Sequence, residues 1–289
     1  MYKSLKEICQ ETKNVNKEMY EIILEPDCIE RGVSEQTIKE EMLNLYKMMK
    51  EADSEYEPEL MSHSKLVGGD GLRFQQYRTS GESICGDFVT MVMEKAIKMG
   101  ESNACMKRIV AAPTAGSCGV LPAVLLSMQE KYGFEEEKMA NAVIVAAGIG
   151  GVIASRAFIA GAAGGCQAEI GAAAAMAAGA VVYLRDGNEI QICNAAALAL
   201  KNLLGLACDP VGGLVEVPCV KRNVIGALSA VSAAEMTLAG ICSKIPPDEV
   251  IDAMRNIGEA MPSCLKETSK GGLAVTPEGL KYAGGEEKV

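Results

Sequence analysis

Three cysteines stand at loop corners beside glycines: Cys166 in GGCQAEIG, and Cys208 and Cys219 at the two ends of CDPVGGLVEVPC. Thiolates so placed suit a metal cluster, which takes soft sulfur ligands and is tuned by nearby backbone N–H donors. Taken alone, C-x41-C-x10-C matches no general ligand rule. Two further stretches offer polar groups. AAPTAGSCG (111–119) carries hydroxyls at Thr114 and Ser117 and a backbone freed by Gly116. If a helix follows it, the first backbone N–H groups can hold a carboxylate or phosphate. The plain alternative is a loop with Ser as helix cap. HSKLVGGDG (63–71) holds His63, the only histidine. That excludes His-rich zinc sites, makes any Ser-His-Asp or Cys-His triad depend on one residue, and leaves a solvated surface imidazole as the bland reading.

The elements that must position these residues are helical. Ile38, Met42, Leu45 and Met49 recur at spacings of four, three and four, with Ser34 placed as an N-cap. Residues 61–82 are interrupted by Gly68, Gly69, Gly71 and Gly81 and read as a loop or a pair of turns. A helix resumes near Ser83, with Ile84, Phe88, Met91, Val92 and Met99 as its stripe. Residues 141–240 contain 26 Ala and 14 Gly but only 11 charged residues. Small residues without charge predict buried helices packed backbone to backbone, not the β-branched strand runs of a doubly wound sheet. Pro246 and Pro247 open a last amphipathic helix with Val250, Met254 and Ile257 on one face. The expected fold is all-α, with Ala/Gly-rich central helices surrounded by amphipathic ones.

Composition narrows the function classes. The 289 residues carry a net charge of −10, of which −7 falls in residues 1–60. That balance argues against a nucleic-acid surface or a polybasic membrane patch. The uncharged run between Arg108 and Glu130 is broken by Pro113 and Pro122 and is not expected to span a membrane. The opening MYKSLKEICQETK has no apolar signal core, eleven cysteines cannot all pair, and no CxxC occurs. Reduced thiols in a cytoplasmic setting are expected, with Cys9, Cys28, Cys85, Cys105, Cys193 and Cys242 as small core residues.

Together, APTAGSCGVLPAVLLS, GGCQAEIG, ALKNLLGL, CDPVGGLVEVPCVKRN and MPSCLKET resemble the α chain of iron–sulfur-dependent L-serine dehydratase, over about residues 3 to 280. The resemblance implies a [4Fe-4S] cluster on Cys166, Cys208 and Cys219, with no pyridoxal phosphate. One iron, free of cysteine, would act as Lewis acid for β-elimination of water from L-serine, giving pyruvate and ammonia. It implies substrate-binding loops at Ser64, Gly68 and Gly69 and at Thr114, Ala115, Gly116 and Ser117, and a separate β chain in a homo- or hetero-oligomer. Lys65, His63 and Lys221 are the candidates for the base; a partner chain is the other possible source. Lys65 stands where the family motif has Gly, Ala163 where an acid is usual, and Cys193 where His is frequent. Related lyases acting on L-threonine or L-cysteine, and a non-catalytic iron–sulfur sensor or partner-binding subunit, are the alternatives. Cys118 and Cys264 fall near the action without a role. Residues 1–289 are read as one catalytic domain: acidic helices over 1–60, cluster and substrate core over 61–270, extended tail over 271–289.

Overall fold

The computed structural model describes residues 2–283. Among these the fold is all-α; the single bridge, Cys208 to Lys266, belongs to no sheet. Three helices open the chain: α1 (Leu5–Val15), α2 (Met19–Arg31) and α3 (Glu35–Ser54). Ser34 caps α3, its hydroxyl accepting from the Thr37 N–H at 3.1 Å. Ile38 and Met49 on the predicted face are buried. Then come α4 (Asp70–Thr79), α5 (Asp87–Ala104), α6 (Val120–Tyr132), α7 (Glu136–Arg156) and the single turn α8 (Gly161–Gly164). A π-turn over Gln167–Gly171 runs into α9 (Ala172–Leu184), followed by α10 (Glu189–Lys201), α11 (Cys219–Leu238) and α12 (Pro247–Ala260).

The centre is α9. Its sequence, AAAAMAAGAVVYL, is buried at all thirteen positions. It packs against α6, α7, α10 and α11. Alanines and glycines let those backbones approach closely. A Cβ added at Gly179 would lie 2.2 Å from Ile149 Cδ1, so a methyl group there would have to displace the tip of that buried side chain. By length and composition, α7 and the Gln167–Leu184 stretch could each cross a membrane, but the fold buries 67% and 94% of their apolar windows. Pro122 sits in the first turn of α6, where its missing N–H costs no helix bond.

Four expectations are corrected. Residues 70–79 form α4 inside the stretch read as loop, because Gly69 serves as its N-cap with φ of 76°. The helix expected from Ser83 starts at Asp87, leaving Ile84 exposed. The tail passes through two 3-10 turns, Gly272–Val275 and Gly279–Tyr282, instead of running extended; 284–289 lie outside the described residues. All eleven cysteines are free, but Cys85 and Cys242 are exposed and Cys9, Cys28 and Cys105 only half-buried.

Candidate functional site

Cys166 follows Gly165, whose φ of 77° turns the chain out of α8. The next residue, Gln167, is fully buried and bonds three chain segments. Its amide N–H group donates to the carbonyls of Gly164 (2.9 Å) and Met254 (3.0 Å), and its Oε1 accepts from the Gly205 N–H (2.9 Å). The Gln167 N–H donates to Leu206 O at 3.0 Å. This fixes the Cys166 turn to the loop that carries Cys208. Cys208 is held from the other side: its N–H donates to Leu265 O and its carbonyl accepts from the Glu267 N–H, both 2.8 Å. The segment MPSCLKET thus serves as a backbone splint for Cys208. Cys219 opens α11.

All three thiols are buried. Cys166 interacts electrostatically with Cys208 and with Cys219. The Cys208 contact, then the Arg222 guanidinium, pull the Cys166 thiol below its usual range, while the same contact and burial push Cys208 up. Burial pushes Cys219 up to about 12. Arg222 is fixed by Ala207 O (2.8 Å) and Asp209 Oδ1 (2.7 Å). Among the described residues, no three His, Cys, Asp or Glu side chains are close enough to share one metal ion. A multi-iron cluster takes one thiolate per iron, so its ligands need not meet at a point. Three buried sulfur donors with a guanidinium beside them fit such a cluster in donor type.

Glu169, on the π-turn, reaches the same place. Its Oε1 accepts from the Thr114 hydroxyl at 2.7 Å, and Oε2 lies 4.0 Å from Cys208 Sγ. Burial raises its carboxyl above the usual range, against the opposing pull of Thr114. Gly161 makes room for the pair: a Cβ there would lie 2.7 Å from Glu169 Oε2 and 2.9 Å from Cys208 Sγ. Sequence reasoning missed Glu169, although an acid inside the nearly uncharged Ala/Gly region was a signal.

The Thr114–Ser117 segment is a 3-10 turn joined to α11 through Asn223. That amide donates to Gly116 O (2.9 Å) and Cys219 O (3.0 Å), and accepts from the Gly119 N–H (2.8 Å). The Ser117 hydroxyl is fully buried and engaged within its own turn, whereas Thr114 is half-buried.

The Ser64–Gly69 loop is anchored on two buried acids. Glu216 accepts from the hydroxyls of Ser62 (2.9 Å) and Ser64. Glu101 accepts from the Tyr56 hydroxyl (2.6 Å) and the N–H groups of Asp70 (2.8 Å) and Gly71 (3.0 Å), holding the start of α4. Lys221 bonds Asp70 Oδ2 at 2.5 Å, tying this loop to α11 two residues past Cys219. Of the base candidates, His63 and Lys65 are exposed and Lys221 is ion-paired. Lys65 has φ of 62°, a conformation that favours glycine and accounts for Gly in the motif it departs from.

A family model described as "Serine dehydratase alpha chain" matches residues 4–274. The chain is 44% identical over 289 residues to "Probable L-serine dehydratase, alpha chain" of Bacillus subtilis (strain 168), covering 100% of this chain and 95% of that one. It is 39% identical over 282 residues to "L-serine dehydratase, alpha chain" of Peptoniphilus asaccharolyticus, covering 97% of each. Against "L-serine dehydratase" of Helicobacter pylori (strain ATCC 700392 / 26695), identity is 34% over 282 residues, 95% of this chain and 61% of the longer relative.

Proposed function

The chain belongs to the serine dehydratase alpha-chain family, and on that premise we propose how it works. It is the catalytic subunit of an L-serine dehydratase, a lyase that deaminates L-serine, here to pyruvate and ammonia. A β chain accompanies it, and the enzyme works in the reducing cytoplasm. Residues 1–289 act as one catalytic unit. Cys166, Cys208 and Cys219 hold a [4Fe-4S] cluster, and no pyridoxal phosphate takes part. When bound, the cluster supplies Lewis acidity that makes the substrate hydroxyl a better leaving group.

The protein's own groups do the rest. The turn at Thr114, Ala115, Gly116 and Ser117 and the loop at Ser64, Gly68 and Gly69 bind the carboxylate and ammonium of the amino acid. Ser117 acts there by shaping the turn, because its hydroxyl and its N–H are both engaged within it. Glu169, held by Thr114, fixes the orientation of the substrate at the thiol centre. A base must take the Cα proton. Lys221 is engaged by Asp70. His63, exposed beside Ser64 on the substrate loop, takes the role, with Lys65 and Lys221 as the alternatives.

The observation that carries this reading is the burial of Cys166, Cys208 and Cys219 in a chain of this family, with Arg222 acting on Cys166 and Glu169 4.0 Å from Cys208. The test is an anaerobic assay of 2-oxo acid formation from L-serine, L-threonine and L-cysteine, with and without a co-produced β chain. L-Serine is expected to give the highest kcat/KM. Preference for another amino acid would change the substrate assignment, and no turnover in either format would sink the catalytic one.

A further inference from the structure

Outside the thiol centre, one pair of cysteines is in contact. Cys9 on α1 and Cys193 on α10 are 184 positions apart in sequence, and their Sγ atoms lie 2.9 Å apart. A disulfide needs about 2.05 Å, so the sulfurs have less than about 1 Å to close. Neither residue is on a loop. Cys9 Sγ lies 3.3 Å from Glu189 O and Cys193 Sγ 3.9 Å from Leu5 O, so each thiol also touches the partner helix's backbone. The start of α1 is fixed independently: Asp248 of α12 accepts from the N–H groups of Leu5 (2.8 Å) and Lys6 (3.0 Å), and Leu5 and Ile8 are buried. The two sulfurs are unequal. Cys9 is half-buried and Cys193 is buried.

We propose that Cys9 and Cys193 form a reversible disulfide that staples α1 to α10 when a low-molecular-weight disulfide is present. The Cys9 thiolate attacks one sulfur of the small disulfide RSSR, forming a mixed disulfide and releasing one RS⁻. Cys193 then gives up its proton and attacks Cys9 Sγ, releasing the second RS⁻. Two protein thiols are oxidised to one disulfide while RSSR is reduced to two RSH. The order follows from exposure: only Cys9 meets the reagent, and Cys193 resolves. The hydrogen bond to Cys9, with burial, pushes the Cys193 thiol up, so Cys193 is the member that keeps its proton until the second step. Closing so long a loop restricts the unfolded chain and raises the resistance of the folded one to heat.

The test uses the anaerobically purified full chain in graded mixtures of reduced and oxidised glutathione. Free thiols are blocked with N-ethylmaleimide, and the protein is digested without reduction. The expected product is tryptic peptide 7–13 joined to peptide 186–201, lighter by two hydrogens than the separate peptides, and released by dithiothreitol. Its yield rises with the oxidised fraction, and the unfolding temperature rises with it. Cys193→Ala is expected to leave Cys9 carrying glutathione with no rise in unfolding temperature, and Cys9→Ser to leave Cys193 unmodified. Both peptides fully maleimide-labelled at every ratio would overturn the proposal. So would wild-type Cys9 stably capped by glutathione with Cys193 still a free thiol. The peptide map of the unsubstituted protein decides the matter even if a variant misfolds.

Discussion

The interior around α9 and the thiol centre at its N-terminal end use the same small residues for opposite purposes. At Gly179 the absent side chain lets α7 close on α9, and the nearest atom to an added Cβ is the tip of Ile149. At Gly161 the space is filled by Glu169 and Cys208. In the first region composition serves packing; in the second it clears room for polar and sulfur groups. Every residue of α9 is buried without a charge, whereas the centre gathers Arg222, Asp209, Glu169 and three thiols. A substitution in one region should therefore damage stability, and in the other chemistry.

The largest separation is expected from Cys208→Ala. It should abolish bound iron and turnover together, read by metal analysis and by pyruvate formation under anaerobic conditions; retained activity would refute the cysteine assignment. Gly161→Ala comes next. Crowding of Glu169 and Cys208 should lower kcat/KM at least tenfold, about 1.4 kcal/mol of transition-state stabilisation, with little change in unfolding midpoint. Its mirror image is Gly179→Val, which should cost about 1–3 kcal/mol in denaturant unfolding by overpacking while iron per folded chain stays unchanged. If Gly179→Val instead empties the iron site of a folded protein, the two regions are not separable.

Asn223→Ala tests the seam between them, since its amide joins the 114–117 turn to Cys219. Leaving those buried groups unpaired should cost about 1–3 kcal/mol in urea unfolding. The smallest effect belongs to Lys221→Ala. Lys221, first, and then Arg73 hold Asp70 below its usual carboxyl range, against the opposing effect of burial. A depressed folded pKa stabilises the protein above the unfolded value of about 3.9 and loses that contribution as pH falls through the folded value. The pair is half exposed, so the wild type should exceed the variant by about 0.2–1 kcal/mol at neutral pH, with the gap closing in acid.

The sequence carried the fold class because a hundred residues so rich in Ala and Gly and so poor in charge have few other solutions. Ser34, Met49 and Met254 fell where their spacing put them. It hid α4, because a cluster of glycines reads as loop when one of them is in fact a helix cap. It also hid Gln167, Glu169, Glu216 and Asn223. Each of these polar groups finds its partner in a segment distant along the chain, and no local period records such a bond. The three cysteines were legible only through the motifs around them, since their spacing follows no rule.

The central claim is that Cys166, Cys208 and Cys219 carry the chemistry through a shared cluster. Iron and acid-labile sulfide per chain, measured on anaerobically purified protein alongside L-serine turnover, test it most directly. About four of each per chain, with turnover lost in proportion as iron is removed, is the predicted result. Iron-free protein that deaminates L-serine at full rate would contradict it.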